Sequence, residues 1–466
     1  MAKLSVKQVL SSRETPEGTE RLAFWDSRLA EERKTWASIV GKTFAIVSVA
    51  MFIFLSIYFG SYYQQDYRES HITVLVIDLD SVASPSTSAH PAILGPAMAA
   101  AIDNNIASSP DIHLGWILAP ASQVQSFRIT QTSQGINATD YAIDAVRNQD
   151  YWAVVVIAAN ATSGVWSALT AGTEWDASGA MALYYSEARN FYTADQHLTR
   201  LSISLFTEAI ASAGSTLVSQ ILALSNATAV LAAAPSGTVS GAFFYNQHNL
   251  EPFDQLGGIP STTVGTVYLI IFTFLISLTW NNLALPIIAD KLTLLSEVLV
   301  KIGVPIIGYF WLSLNYSLVS LAFQVSFTRR FGKGGFPLYW MENFVTMSAL
   351  GLVMETMYIW LGPYFPFFLL FWVVLNVSTA FLDLADMQYF FSYGFFLPVW
   401  NLVDMSKATI FATKNHLAQN FAVNLGWLLA WTVIMAITVA RSRQNKEEAA
   451  FEAKYAQLNA DEKEDK

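Results

Sequence analysis

Residues 43–59 read TFAIVSVAMFIFLSIYF, an apolar run with no charged side chain. A transmembrane helix needs roughly 17 to 25 mainly apolar residues, so this run is long enough to cross a bilayer. About 200 residues pass before another such run, and a crowded array of them then fills 262–440. The spacing predicts a cytoplasmic tail over 1–42, a span over 43–59, a water-facing domain over 60–261, a bundle over 262–440 and a tail over 441–466. The fold class that follows is a mainly α membrane protein. It has a six-helix transmembrane bundle, one N-terminal span plus five C-terminal spans, and a large extracytoplasmic α/β domain between spans 1 and 2.

Composition points the same way. Of 466 residues, 53% are hydrophobic, 14% aromatic and only 13% charged, where soluble proteins carry roughly 25% charged residues. Mean hydropathy is +0.37. A soluble globular protein is excluded. The net charge is −10, but much of the acid lies in EEAAFEAKYAQLNADEKEDK at 447–466. That tail reads as a solvated or partly helical terminus rather than a surface for a basic partner. No basic run with interleaved aromatics points to nucleic acid. Cysteine is absent, so the outer domain is expected to stand without disulfides, and thiolate chemistry and Cys-based metal sites are excluded.

Six segments are long enough to cross: 43–59, 262–280, 302–324, 343–361, 364–384 and 420–440. A seventh run, QYFFSYGFFLPVWNLV at 388–403, is short and carries Pro398 and Asn401. It suits a re-entrant or interfacial element. The first span starts about 40 residues in with no small-residue cleavage site after it, which predicts an uncleaved signal anchor. Basic residues of short loops favour the cytoplasmic side. With the N-terminus inside, that side holds Lys3, Lys7, Arg13, Arg21, Arg28, Arg33, Lys34, Lys42, Lys291, Lys301, Arg441, Arg443 and Lys446, with further tail lysines. The outer side holds Arg329, Arg330, Lys333, Lys407 and Lys414. Both termini are therefore expected in the cytoplasm, and the Arg329/Arg330 cluster is the exception that six crossings place outside. Sequons at Asn137, Asn160 and Asn226 fall in the outer domain, where a lumenal or extracellular face carries glycans. Two more, at Asn315 and Asn376, lie inside spans and are expected to stay unmodified.

In the outer domain HITVLVIDLD (71–80) and YWAVVVIAA (151–159) read as buried strands. Residues 140–149 and a long stretch within 187–225 have helical spacing, which makes the domain α/β or α+β. The small, turn-prone segment 225–238 is expected to lead back to the membrane.

The strand ending in Asp78 and Asp80 has the form that holds magnesium in nucleotide hydrolases, which also need a phosphate-cradling loop. The one Gly-Lys-Thr, at 41–43, has Trp36 in place of the first glycine and opens a span, so Lys42 reads as an interface anchor. Histidines 71, 90, 113, 197, 248 and 416 are scattered without ligand spacing, and no Gly-x-Ser-x-Gly elbow is present. No metal, no cofactor and no enzyme activity are expected.

Polar residues inside spans say more, since a central charge costs roughly 2.5 to 3.5 kcal/mol on insertion scales. Glu355 lies in the fourth span, and Asn315, Gln324 and Asn376 are the nearest neutral candidates to bond it across the bundle. These residues either contact substrate or glue helices together. Residues 395–416, with Asn401, Asp404, Lys407 and His416, form a polar patch in apolar surroundings that reads as buried against its neighbours or as an interfacial turn. Pro305 between Gly303 and Gly308 is expected to loosen the third span. Residues 281–301 read as an amphipathic cytoplasmic segment.

The order of one span, an outer domain opening with VLVIDLDS (74–81) and five further spans resembles the ABC-2 type permease-like membrane proteins. LAFQVSFTRRFGKGGFPLYW (321–340), SALGLVMETM (348–357), PFFLLFWVVLNVS (366–378) and IFATKNHLAQNF (410–421) resemble the fungal nitrosoguanidine-resistance proteins within that group. The resemblance covers about residues 72–440. It implies a multi-pass fungal protein of the plasma membrane that promotes tolerance of toxic compounds by export or lipid movement. It brings no catalytic residues to transfer. This chain has no ATPase signature, so the resemblance implies a separate ATPase or regulatory membrane partner, another gradient, or no pumping at all. Membrane lipids and a second copy of the chain are its other implied partners. The alternative is a non-transporting organiser or signalling regulator that affects resistance indirectly.

Overall fold

The computed structural model describes residues 23–130, 137–235 and 237–464. It divides into a unit ending at Ser56 and a second unit from Ile57 onward. The first unit is chiefly helix α1, Ala30–Tyr62, whose last residues enter the second unit. Asp26 accepts from the Arg28 amide to start the preceding turn, and Arg33 reaches back to the carbonyls of Phe24 and Asp26. The helix thus begins well before the apolar run at 43–59. Phe44, Phe52 and other large apolar side chains along it are exposed, as a lipid-facing helix requires.

In the second unit, alternation of apolar residues builds a five-stranded sheet in the order β2-β1-β3-β4-β5, from Thr73–Asp78 (β1), Gly115–Leu118 (β2), Ala153–Ile157 (β3), Met181–Tyr185 (β4) and Tyr245–Asn249 (β5). β1 runs parallel to β2 and β3, while β4 is antiparallel to β3 and parallel to β5. Successive side chains face opposite sides. Val74, Val76, Val155 and Leu183 therefore meet helices α2 (Leu94–Ser108), α5 (Ala161–Ala171) and α6 (Arg200–Leu222) on one face. Leu75, Ile77, Val154 and Val156 meet α3 (Ala121–Thr130) and α4 (Ala138–Arg147) on the other. The domain is a three-layer α/β sandwich. β2, β4, β5, α2 and α5 went unread in the sequence because they are short or alanine-rich. The segment at 225–238 does not lead straight to the membrane, since α7 (Ala227–Ala233) and edge strand β5 come first.

After β5 the chain forms α8 (Gly258–Thr262), α9 (Gly265–Thr279), α10 (Leu294–Ala322), α11 (Gly335–Leu361), α12 (Phe365–Ala380), α13 (Pro398–Phe411) and α14 (Leu417–Glu464). Among the described residues, six helical stretches are long and apolar enough to cross a membrane: 27–62, 191–222, 265–288, 294–322, 328–380 and 417–455. The second contains α6, whose Leu205, Phe206, Leu217 and Ile221 are spent on the sheet core. The fifth contains both α11 and α12, divided at Gly362, which has φ +52°. The protein is a mainly α membrane protein, 73% helical.

One reading of the bundle needs correction. Residues 281–301 do not form a free amphipathic segment. They close α9 with a π turn at Trp280–Ala284 and then open α10, where Glu297 and Lys301 are buried and paired at 2.8 Å. Pro305 lies inside α10 without ending it.

The short run at 388–403 is not one continuous helix. Tyr389–Phe396 is a 3-10 helix, and α13 follows it and runs on to Phe411. α14 ties this hairpin to the bundle, with Asn420 reaching Asp404, Asn424 the Pro398 carbonyl and Trp427 the Phe396 carbonyl.

Candidate functional site

Glu355 on α11 is fully buried. Its carboxylate accepts from Ser277 Oγ at 2.9 Å, Asn281 Nδ2 at 2.6 Å and Tyr309 OH at 3.4 Å. Two of the three donors are placed by local features. The π turn ending α9 adds one residue to the helix and swings Asn281 toward the acid, a device common at functional positions. Gly351, one turn before Glu355, makes room for Tyr309, because a Cβ there would lie 2.2 Å from Tyr309 Cζ. Three donors offset much of the desolvation of a buried carboxylate.

These partners differ from those expected. Asn376 donates to the Trp372 carbonyl and accepts from the Val399 amide, capping the hairpin helix α13. Asn315 lines a groove on the flank of the bundle. Gln324 closes α10 with φ +63°. Asn401 donates to the Phe395 and Leu397 carbonyls at the hairpin tip. Asp404 accepts from Asn420 at 2.7 Å and lies 3.2 Å from His416. The sequence marks depth along each span, whereas partnership depends on rotation about it, which the apolar sequence leaves free.

A second acid on the same helix escaped the sequence reading because it precedes the assumed start of the span. Glu342 is fully buried and accepts from Thr409 Oγ1 of the hairpin at 2.5 Å. Glu342 and Glu355 are 13 residues apart, about 20 Å along the axis. Glu355 therefore sits toward the end of the bundle away from the α/β domain, and Glu342 near the domain. Around Glu342, Asn343 donates to Ser317 and Asn424 to Thr346. Glu342 Oε2, Ser406 Oγ and Asn424 Oδ1 have no protein partner among the described residues.

The groove on the flank has a volume of about 620 Å³ and runs between α8, α9 and α10. Ile259, Pro260, Val264, Phe272, Leu312 and Val319 make it apolar, and Asn315 is its amide.

The α/β domain is fastened to this end of the bundle. Thr193 donates to Asp386 at 2.5 Å, Arg68 to the Asp386 carbonyl at 2.8 Å and Lys407 to the Arg189 carbonyl at 2.8 Å. Burial pushes the Asp386 carboxyl up to about 7, with Asp383 adding to it. The Arg189 guanidinium stacks 3.9 Å from the Trp152 ring centroid. Arg329 and Arg330 face the domain too: Arg329 holds both oxygens of Asp254, and Arg330 holds the Ala412 and Thr413 carbonyls. This basic cluster is retained by local acceptors.

Within the domain, the acids ending β1 are structural. Asp80 accepts from the Thr162 amide and hydroxyl at the start of α5, and Asp78 accepts from Ser81. Asp66 and Glu69, three residues apart, and the distant His197 bring one potential ligand atom each within 4.8 Å of the others. His197 and Glu69 are hydrogen-bonded at 2.7 Å, with Arg200 4.0 Å from the same carboxylate, which is ion-pair geometry. Of the sequon asparagines, Asn160 and Asn226 are exposed, while Asn137 caps α4 by accepting from Asp140.

The α/β domain seated on a helical bundle with buried acids defines a multi-pass membrane protein. It belongs to the family described as protein of unknown function DUF3533, whose model matches residues 43–437. An uncharacterised endoplasmic reticulum membrane protein of Saccharomyces cerevisiae is 24% identical over 451 residues, covering 93% of this chain and 86% of the yeast protein. Neither is described as a resistance protein or an ABC-2 type permease. No solved structure matches the chain.

Proposed function

We propose that the protein is permease-like and moves lipid or amphipathic toxic molecules, promoting resistance to such compounds without an ATPase of its own. The observation that carries this reading is the apolar groove between α9 and α10, with one amide, Asn315, in its wall. A largely apolar slot with few polar groups in its wall suits an amphiphile. The resemblance to nitrosoguanidine-resistance proteins adds to it. Glu355 then serves as the buried charge that holds α9, α10 and α11 in register. Energy comes from a gradient or a separate ATPase or regulatory partner, and two copies of the chain work together. The resemblance favours the plasma membrane, while the yeast relative is an endoplasmic reticulum protein. We infer a secretory-pathway membrane with both termini cytoplasmic and the α/β domain on the far side, carrying glycan.

The test is uptake and efflux of a fluorescent lipid analogue and a fluorescent cationic drug in cells lacking the gene, restored with it, or restored with Glu355→Gln or Val319→Trp. Val319 lines the groove and is exposed, so tryptophan there fills the slot without touching the core. A defect on deletion that the wild type corrects and Val319→Trp does not supports the reading. Equal correction by Val319→Trp removes the groove from the mechanism.

One observation favours the non-transporting organiser instead: the sequence carries no ATPase signature to drive transport. Resistance that still depends on the gene while accumulation of both probes is unchanged selects that reading.

A further inference from the structure

We propose that the basic hollow where the α/β domain meets the bundle binds the phosphate head of an anionic phospholipid, whose acyl chain enters the groove beside α9. The hollow has a volume of about 740 Å³, and its wall brings together Arg147, Arg329, Arg330 and Lys414. These come from three separate parts of the chain: the end of α4, the α10–α11 loop and the α13–α14 loop. The chain's net charge is −10, so four cations converging on one hollow run against its overall charge. The acids nearby offset only part of this. Asp254 is occupied by Arg329, and Glu251 is buried against Ser186, with burial raising its carboxyl toward the neutral form. Arg330 and Lys414 are held by backbone carbonyls, of Thr413 and Asn148 among others. Carbonyls orient a cation without cancelling its charge, and the remaining N–H donors stay available to phosphate oxygens.

The second observation is the nearness of the groove. Phe411 lines the hollow and packs, fully buried, on Gly258, where a Cβ would lie 2.6 Å from the ring. The next residues, Ile259 and Pro260, begin the lining of the apolar groove. Charged hollow and apolar slot thus lie on either side of one buried contact, close enough for one molecule with a phosphate head and an apolar tail to bridge them. The inference deepens the lipid-handling reading and takes its biological sense from it, but binding is measured apart from movement.

Full-length protein in nanodiscs of phosphatidylcholine with a minority of phosphatidylserine tests it, with retained lipid counted by mass spectrometry after re-extraction. The wild type should retain phosphatidylserine at least about fivefold above its bulk share, the preference that charge-assisted contacts supply. The double variant Arg147→Glu/Lys414→Gln should fall to the bulk share. Lys333→Glu, on the same side but outside the hollow, should not. Val319→Trp should also lower retention. Bulk-level retention by the wild type, or equal loss with Lys333→Glu, overturns the proposal. Inorganic phosphate is the second probe: binding of phosphate with the same variant sensitivity, and no lipid enrichment, assigns the hollow to a soluble anion and overturns the lipid. Enrichment without lipid movement in vesicles leaves this site standing and removes the transport reading.

Discussion

Glu355 and Gly351 form one device at residue scale, an acid on one turn and the gap that admits its tyrosine on the turn before. Gly351→Ala drives a methyl into Tyr309 and should lower stability by about 1–3 kcal/mol, read as a drop in Tm of the detergent-solubilised protein. Glu355→Ala leaves Asn281 and Ser277 without their acceptor and should lower stability by about 1–3 kcal/mol, more than Glu355→Gln, which keeps one carbonyl oxygen. Equal effects of the two Glu355 variants would mean that the hydrogen bonds contribute little. Asp386 behaves differently because it lies outside the spans, faced by Asp383, Arg189 and His197 and by Arg68 at its carbonyl. Its carboxyl, ordinarily near 3.8, stands at about 7 in the folded protein. The folded state therefore holds this proton more tightly than the unfolded state, so stability is highest below the ordinary value and falls as pH rises toward 7. Asp386→Asn should flatten the fall in Tm between acid and neutral pH; an unchanged slope would assign the dependence to other groups.

The hairpin of 389–411 is the element most tied to its neighbours. Its tip is held by side chains from three helices: Asn376 of α12, Thr346 of α11 through Asn424, and Trp427 of α14. Gly394 fits against Thr379, and a Cβ there would lie 2.4 Å from Thr379 Cβ. Gly394→Val should lift the hairpin from its seat, so that protease added from the domain side cuts within 389–411 faster than in the wild type. Unchanged cutting would mean that the hairpin is held from its α13 side alone. In the sequence the shortness of this run, with Pro398 and Asn401, sets it apart from the spans. Glu355 is legible too, because a charge deep in an apolar run stands out. Ser277, Asn281 and Tyr309 are not, being ordinary residues made into partners by a π turn and a glycine, nor is Glu342, which needs the true start of α11. In the α/β domain, β1 and β3 are legible as β-branched runs, whereas β2 is only four residues long and edge strand β5 (YNQHN) carries little hydrophobic signature.

Across the whole molecule, the α/β domain reaches the bundle at the hairpin entrance, the α10–α11 loop and the α13–α14 loop, and the basic residues of those loops are held there by acceptors. A domain facing the lumen or cell exterior should carry glycan at the exposed sequons of Asn160 and Asn226, so Asn160→Gln/Asn226→Gln should remove most of an endoglycosidase-sensitive mobility shift. A protein without any such shift would place the domain on the cytoplasmic side and reverse the threading. The central claim is that the flank groove handles amphiphiles. Its most direct test is movement of a fluorescent phospholipid across vesicles containing the purified full-length protein, with the wild type compared to Val264→Trp/Val319→Trp, two exposed groove positions. The account predicts movement above protein-free vesicles for the wild type and its loss in the double variant at unchanged Tm. Equal movement by both proteins, or none by the wild type under any imposed ion gradient, would contradict it.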